Sequence, residues 1–305
     1  MQIHVSRRRL TCGVALALAA VFAAGSAYAA EGVTPLQPGI TTGVPVAALP
    51  PPGVYLSLDF TDINAGYLET GGAHLPIKLD FPLISPLLTW VPGTKVLGAS
   101  YAAGIAQPYG WIGVDATGVG GPKTTGTGMF NTVLMPYILS WNLGQGWFVG
   151  TSMSVYVADG DHRTVDGVRS QRSWANNFWT FEPSLSFSYL GHGWNITFNN
   201  VVDFNTKNQR TGYQTGDTYY LELTATRTFG KWTAGLVGNY TQQLQDDELR
   251  GVTVGNGNRV QHVLLGPYLA YNFGRFSIAA KYLANVRTRN DLDISTAHIV
   301  FSMRL

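Results

Sequence analysis

Between residues 178 and 205 the chain alternates so regularly that few backbones can accommodate it. Trp179, Phe181, Pro183, Leu185, Phe187 and Tyr189 form one series, and Phe178, Thr180, Glu182, Ser184, Ser186 and Ser188 fall between them. After Gly191-His192-Gly193 the alternation resumes. Trp194, Ile196, Phe198, Val202 and Phe204 take one face, and Asn195, Thr197, Asn199 and Asp203 the other. A side-chain period of two is a strand signal, and two such runs around a glycine-containing turn predict a hairpin. Each run is about 10–13 residues long, near the length a tilted strand needs to cross a bilayer. Trp and Tyr close the apolar series at its ends, where an interfacial girdle belongs. The hairpin predicts two staves of a transmembrane barrel.

The same pattern recurs along the chain. Strands are predicted at 54–62, 73–81, 95–107, 127–141, 147–158, 178–189, 194–205, 218–229, 232–244, 260–273, 276–287 and 294–305, about twelve in all, an even number as single-chain bacterial barrels require. Residues 82–93, punctuated by Pro82, Pro86 and Pro92, read as a crossover or a short interfacial helix. Connections alternate short and long: 142–146 against 159–177, 190–193 against 206–217, 230–231 against 245–259. Short periplasmic turns opposite long external loops are what an outer-membrane barrel shows. Much of the charge sits in the long loops, in Asp159, Asp161, Arg163 and Asp166 and again in Asp246, Asp247, Glu248 and Arg250. Only 12% of the 305 residues are charged, about half the usual share. No long apolar run follows residue 30, which excludes a bundle of membrane helices and leaves the barrel.

The N-terminus reads as an exported leader over residues 1–29. Arg7, Arg8 and Arg9 precede an apolar stretch, and Ala27-Tyr28-Ala29 supplies the small-x-small cleavage site. The single cysteine, Cys12, lies inside this leader, so the mature chain has no disulfide, thiol chemistry or Cys-based metal site. Without the leader 17 basic residues face 18 acidic ones, and nothing suggests a nucleic-acid partner. Residues 30–53 are rich in Pro and Gly without a sustained period, and read as a periplasmic tail or as a plug folded into the lumen. Residues 54–305 are the barrel.

With the hairpins placed, the wording of the chain is similar to one family. Asn177-Phe178-Trp179-Thr180-Phe181-Glu182-Pro183, Asp203-Phe204-Asn205-Thr206, Gly257-Asn258-Arg259-Val260 and Gly266-Pro267 carry the likeness. So do Pro51-Pro52-Gly53-Val54-Tyr55 near the start and Val286-Arg287-Thr288-Arg289-Asn290 near the end. The chain resembles the family of the MetA pathway of phenol degradation, transporter barrels distantly like fatty-acid and toluene channels of the outer membrane. That resemblance implies a barrel through which small hydrophobic, and by its name aromatic, molecules enter a Gram-negative cell.

On the predicted phases Glu182, Asp203, Tyr220, Glu222, His262, Lys281, Arg287 and His298 face away from lipid, together with Arg275. An Arg or Lys facing mid-bilayer lipid costs about 2–4 kcal/mol, so these side chains are expected to line the lumen. They could form a polar path met by a solute, or acid–base pairs bracing a narrow interior. Phe148, Tyr156 and Phe178 are expected inward as well. Arg227 breaks the pattern by falling on the outward face, either snorkelling to the interface or displaced by a bulge. No nucleophile motif accompanies the histidines, and Asp246-Asp247-Glu248 lacks the spacing of a calcium loop. The expectation is a monomeric outer-membrane channel for small hydrophobic or aromatic compounds, without catalysis, cofactor or metal. Its partners are the solute, the surrounding outer-membrane lipids and the barrel assembly machinery. The alternative is a structural or surface barrel whose loops bind a partner.

Overall fold

The computed structural model describes residues 31, 34–165, 168–169 and 173–305. The predicted leader with its cleavage site and Cys12, and Asp166, lie outside the described residues.

Twelve antiparallel strands close into a barrel. They are β1 (Gly53–Ala65), β2 (Lys78–Val91), β3 (Ala99–Ala106 and Tyr109–Asp115) and β4 (Lys123–Met129 and Val133–Gly144). After these come β5 (Trp147–Tyr156), β6 (Thr180–Gly191), β7 (Trp194–Asn205), β8 (Thr218–Phe229), β9 (Trp232–Gln243), β10 (Gln261–Asn272), β11 (Phe276–Arg289) and β12 (Ser295–Arg304). Sequence neighbours pair throughout, and β1 pairs with β12 to close the ring. Closure removes the sheet edges that a bilayer could not satisfy. Turns at one end are as tight as Gly191↔Trp194 and Phe229↔Trp232, while the other end carries the long loops.

The second strand departs from the sequence expectation. It runs through 82–91 in spite of Pro82 and Pro86, whereas Ala73–Leu75 belongs to a small loop hairpin with Leu68–Thr70. The prolines are tolerated because of where their missing N–H groups would point. Gln107 N donates to Pro86 O at 3.2 Å, so the nitrogen of Pro86 also faces β3, and the β2–β3 ladder skips both prolines. Its other edge pairs with β1 without interruption. Beside Pro86, β3 breaks at Gln107-Pro108 and β4 at 130–132, where side chains replace ladder bonds. Gln107 Nε2 donates to Phe130 O at 2.7 Å, and Asn131 Nδ2 to Asn176 O at 2.9 Å.

Inside and outside are inverted relative to a soluble protein. Phe60, Ile105, Phe181, Leu185, Phe198, Leu236, Leu269 and Ile299 are exposed on the outer wall, while Asn199, Glu222, Asn239, Thr241 and Lys281 are buried. Around the short-turn end the outward face carries Trp90, Trp147, Trp194, Phe229 and Trp232. Ring pairs such as Trp147–Tyr189 at 4.9 Å and Trp232–Tyr271 at 4.6 Å extend it. This is an aromatic girdle at the lipid boundary. Arg227 joins it: the ladder to β9 runs in continuous register past it and the ladder to β7 reaches it unbroken, so no bulge displaces it, and its guanidinium lies over the rings of Trp194 and Phe229.

Candidate functional site

The interior is built around the residues that precede β1. At the long-loop end Glu31 N donates to Thr215 Oγ1 at 3.2 Å, and Asn208 Nδ2 to Glu31 Oε2 at 2.7 Å. At the short-turn end Arg304 Nη2 donates to Pro52 O at 2.8 Å. The segment of residues 34–52 passes inside the barrel and touches several strands. Gln37 Nε2 donates to Thr61 Oγ1 of β1, Gly43 N to Thr224 Oγ1 of β8, and Ser140 Oγ of β4 to Ala47 O.

Its tightest anchor is a turn over 37–42. Thr42 N and Thr42 Oγ1 both donate to Gly39 O, and Gly39 adopts φ +87°, a conformation open to glycine. A carboxylate and an ammonium grip this turn. Glu222 accepts from Gly39 N at 2.5 Å, from Thr41 N at 2.7 Å and from the Thr41 hydroxyl. Lys281 Nζ donates to Gly39 O at 2.6 Å and Thr42 O at 3.0 Å. Glu222 is 1% and Lys281 4% exposed. Buried charges are tolerable only when paired and hydrogen-bonded, and here the backbone of the turn supplies most of the bonds.

The other predicted inward residues divide into groups. Glu182 accepts from Tyr156 Oη at 2.9 Å, and Asp203 from Tyr220 Oη at 2.8 Å; all four are inside the barrel, with Leu36 of the segment packed on Tyr220 and Val201. His298 Nδ1 lies 3.1 Å from both oxygens of Asp59, and Thr61 joins them. His262 stands apart near the long-loop end, with Nε2 3.1 Å from Asp291 Oδ2. Phe178 is buried and Phe148 half-buried. Arg287 is not inward. The β10–β11 ladder shifts register between Val263 and Leu264, so an extra residue in β11 turns the strand over and leaves Arg287 exposed on the outer side. Arg275 is likewise exposed, in the short turn before β11.

Sequence reasoning missed the opposite flank. Ile63 of β1, Phe81 and Leu83 of β2, Phe130 at the break in β4 and Trp174 from the loop after β5 form a buried apolar cluster. Leu79, Ile112 and Ile294 pack against it. The interior thus has an apolar cluster on β1–β4, toward the long-loop end, and a second one of Val237, Leu264 and Leu283 on β9–β11, while Glu222 and Lys281 hold the segment with further bonds from Thr61 of β1 and Ser140 of β4. At the short-turn end a recess of about 430 Å³ remains beside Gly43 and Pro45, bounded by Asn195, Thr226 and Tyr268.

The long loops above this interior are joined to one another. Asp247 accepts from Gly216 N at 2.9 Å, Gln243 Nε2 at 2.7 Å and Tyr213 Oη at 2.7 Å. Burial nevertheless pushes its carboxyl up to about 6, outweighing those donors. Asp246 pairs with Arg259 at 2.6 Å, so two members of the acidic run are engaged with protein groups. Among the described residues no cluster of side chains could hold a metal ion.

The family model described as "Putative MetA-pathway of phenol degradation" matches residues 65–296. Among solved structures, an outer membrane channel from Pseudomonas putida F1 superposes with a TM-score of 0.75 at 12% identity, covering 88% of this chain and 100% of that one. The translocator domain of the autotransporter NalP from Neisseria meningitidis gives a TM-score of 0.49 at 9% identity, covering 85% and 91%. At 12% identity the likeness to the Pseudomonas channel is one of fold. No curated protein matches the sequence.

Proposed function

The chain belongs to the family described as Putative MetA-pathway of phenol degradation, and from that premise we propose that it is an outer-membrane channel for passive uptake of small hydrophobic and aromatic compounds. One observation carries the reading: Ile63, Phe81, Leu83 and Phe130 give the inner wall of β1–β4 an apolar surface, while the buried charges Glu222 and Lys281 are occupied by the N-terminal segment. A solute without hydrogen-bonding groups gains nothing from Glu222 or Lys281, but is favoured over water along Ile63, Phe81 and Phe130.

In this reading the long loops face outward, the short turns face the periplasm, and residues 31–53 are a plug. The clasp on the turn at 37–42 holds the plug against β8 and β11, and the recess beside Gly43 and Pro45 is where a solute leaves. No reaction is involved; Glu182, Asp203, Tyr220, Glu222, Lys281 and His298 brace the lumen and the plug.

The experiment is uptake of a radiolabelled aromatic solute into liposomes carrying the refolded mature protein, beside ionic conductance in planar bilayers. Both are repeated after deletion of residues 31–53. Solute uptake with little ionic current, rising to steady current after deletion, is expected. Solute entering no faster than into protein-free liposomes, in both forms, would end the channel reading and favour a surface barrel whose loops bind a partner.

A further inference from the structure

Glycine in a strand interior is unfavourable unless something must approach the backbone closely. On the wall behind the apolar cluster of β1–β4 three such positions, Gly110 of β3 and Gly126 and Gly128 of β4, are all glycine. A Cβ on Gly126 would lie 1.8 Å from Cζ2 of Trp174, and one on Gly128 would lie 2.2 Å from its Cδ1. The indole therefore lies across the bare backbone of β4, spanning both glycines. A Cβ on Gly110 would meet Phe81 at 2.7 Å and Phe130 at 2.9 Å, two rings whose centroids are 5.3 Å apart. Together they make a slot with a floor of peptide planes and sides of aromatic rings.

Trp174 reaches this slot from a loop rather than from a barrel strand. It comes from the loop after β5, where its backbone N–H donates to Asp161 O at 2.9 Å. That loop is pinned to β4 by Asp161 N to Met129 O at 2.8 Å and by Asn176 N to Asn131 Oδ1 at 2.8 Å, so that only the indole is free to leave. Glycine at these positions lets a ring rest directly on the backbone. We infer that the slot over Gly110, Gly126 and Gly128 is a binding site for a planar aromatic solute of one or two rings, in which Trp174 is a tethered competitor that the solute displaces. The glycine floor admits a flat ring and offers its π-face the peptide planes, while Phe81 and Phe130 offer ring contacts. A puckered saturated ring is thicker and makes neither contact well. The inference rests on the uptake reading above and names the solute class for its apolar surface.

The test uses the full mature chain in lipid nanodiscs, labelled with 5-fluorotryptophan, with the Trp174 resonance identified by its loss in Trp174→Phe. Phenol and cyclohexanol are titrated as a planar and a puckered ring of the same size. Phenol should move the Trp174 resonance saturably and cyclohexanol should not. Trp174→Ala should bind labelled phenol about tenfold more tightly, as expected if the indole holds the slot about nine-tenths of the time. Gly126→Val, which fills the floor, should abolish saturable binding; Gly128→Ala is the milder variant if the first does not fold. No saturable shift, equal responses to the two alcohols, or unchanged affinity in Trp174→Ala would each overturn the site. Phenol flux is measured on the same preparations. Flux with a silent Trp174 resonance sinks the slot and leaves uptake standing, and saturable binding without flux sinks uptake and leaves the slot.

Discussion

Lys281 Nζ donates to Gly39 O at 2.6 Å, joining two residues 242 positions apart in the chain. The same turn gives its N–H groups to Glu222, so opposite charges hold opposite poles of one backbone turn. Losing a hydrogen bond to a charged group costs about 1.5–3 kcal/mol. Lys281→Met should therefore raise the open population of the segment on the order of ten- to a hundredfold, seen as more frequent conducting events in planar bilayers. Glu222→Gln should do less, because its amide oxygen still accepts from Gly39 and Thr41. Current that rises on deleting residues 31–53 but not in Lys281→Met would show that the clasp is not what retains the segment.

Gly43 gives a steric handle on the same segment. Its φ is +88°, and a Cβ there would lie 2.2 Å from the Tyr268 ring. Gly43→Ala should loosen the segment by about 1–3 kcal/mol, read as faster protease cleavage within residues 34–52. Adding Tyr268→Ala should remove the collision and leave the backbone strain, about 1–2 kcal/mol. A double variant as labile as Gly43→Ala alone would assign the whole effect to the backbone.

The barrel was legible in the sequence because its determinant is local. Each of Trp179, Phe181, Leu185 and Phe187 faces lipid by its own parity, and no distant contact is needed to orient it. Legibility failed where parity is broken. The parity of the predicted strand puts Arg287 inward, and one extra residue in β11 reverses it. The strand over 82–91 was hidden by prolines whose cost depends on which neighbour their nitrogen faces. The clasp was half visible: Glu222 and Lys281 stood out as charges, but their partner is a turn in a segment whose composition left tail and plug open. Trp174 was hidden in a loop, although the Gly126-Thr127-Gly128 alternation in β4 signalled a close approach from inside.

The loops should respond to pH through Asp247. Its carboxyl is raised to about 6 from 3.8, so between those values the folded junction holds a proton that the opened one has released. Stability from this group is fully present below about pH 4 and is lost as pH rises through 6. Amides of residues 213–216 and 247–254, corrected for intrinsic exchange, should be about tenfold better protected at pH 5 than at pH 7.5. Asp247→Asn should remove that dependence. Protection that grows from pH 5 to 7.5 would mean that the ionised carboxylate is the form the loops prefer.

Arg227 offers a test of where the membrane boundary lies, because the sign of its substitution depends on depth. Its guanidinium is 5.5 Å from the Trp194 ring centroid and 5.2 Å from that of Phe229, two residues before the strand ends. At an interface each cation–π contact contributes about 0.5–1 kcal/mol, and the alkyl stem covers apolar wall while the head reaches water. Arg227→Ala should then destabilise the barrel by about 1 kcal/mol in reversible unfolding from lipid vesicles, and Arg227→Lys by less. In the hydrocarbon core the arginine would instead cost about 2–4 kcal/mol, and removing it would stabilise the protein. A stabilised Arg227→Ala would move the girdle of Trp194, Phe229 and Trp232 into the bilayer and shift the proposed periplasmic boundary past the turn at 230–231.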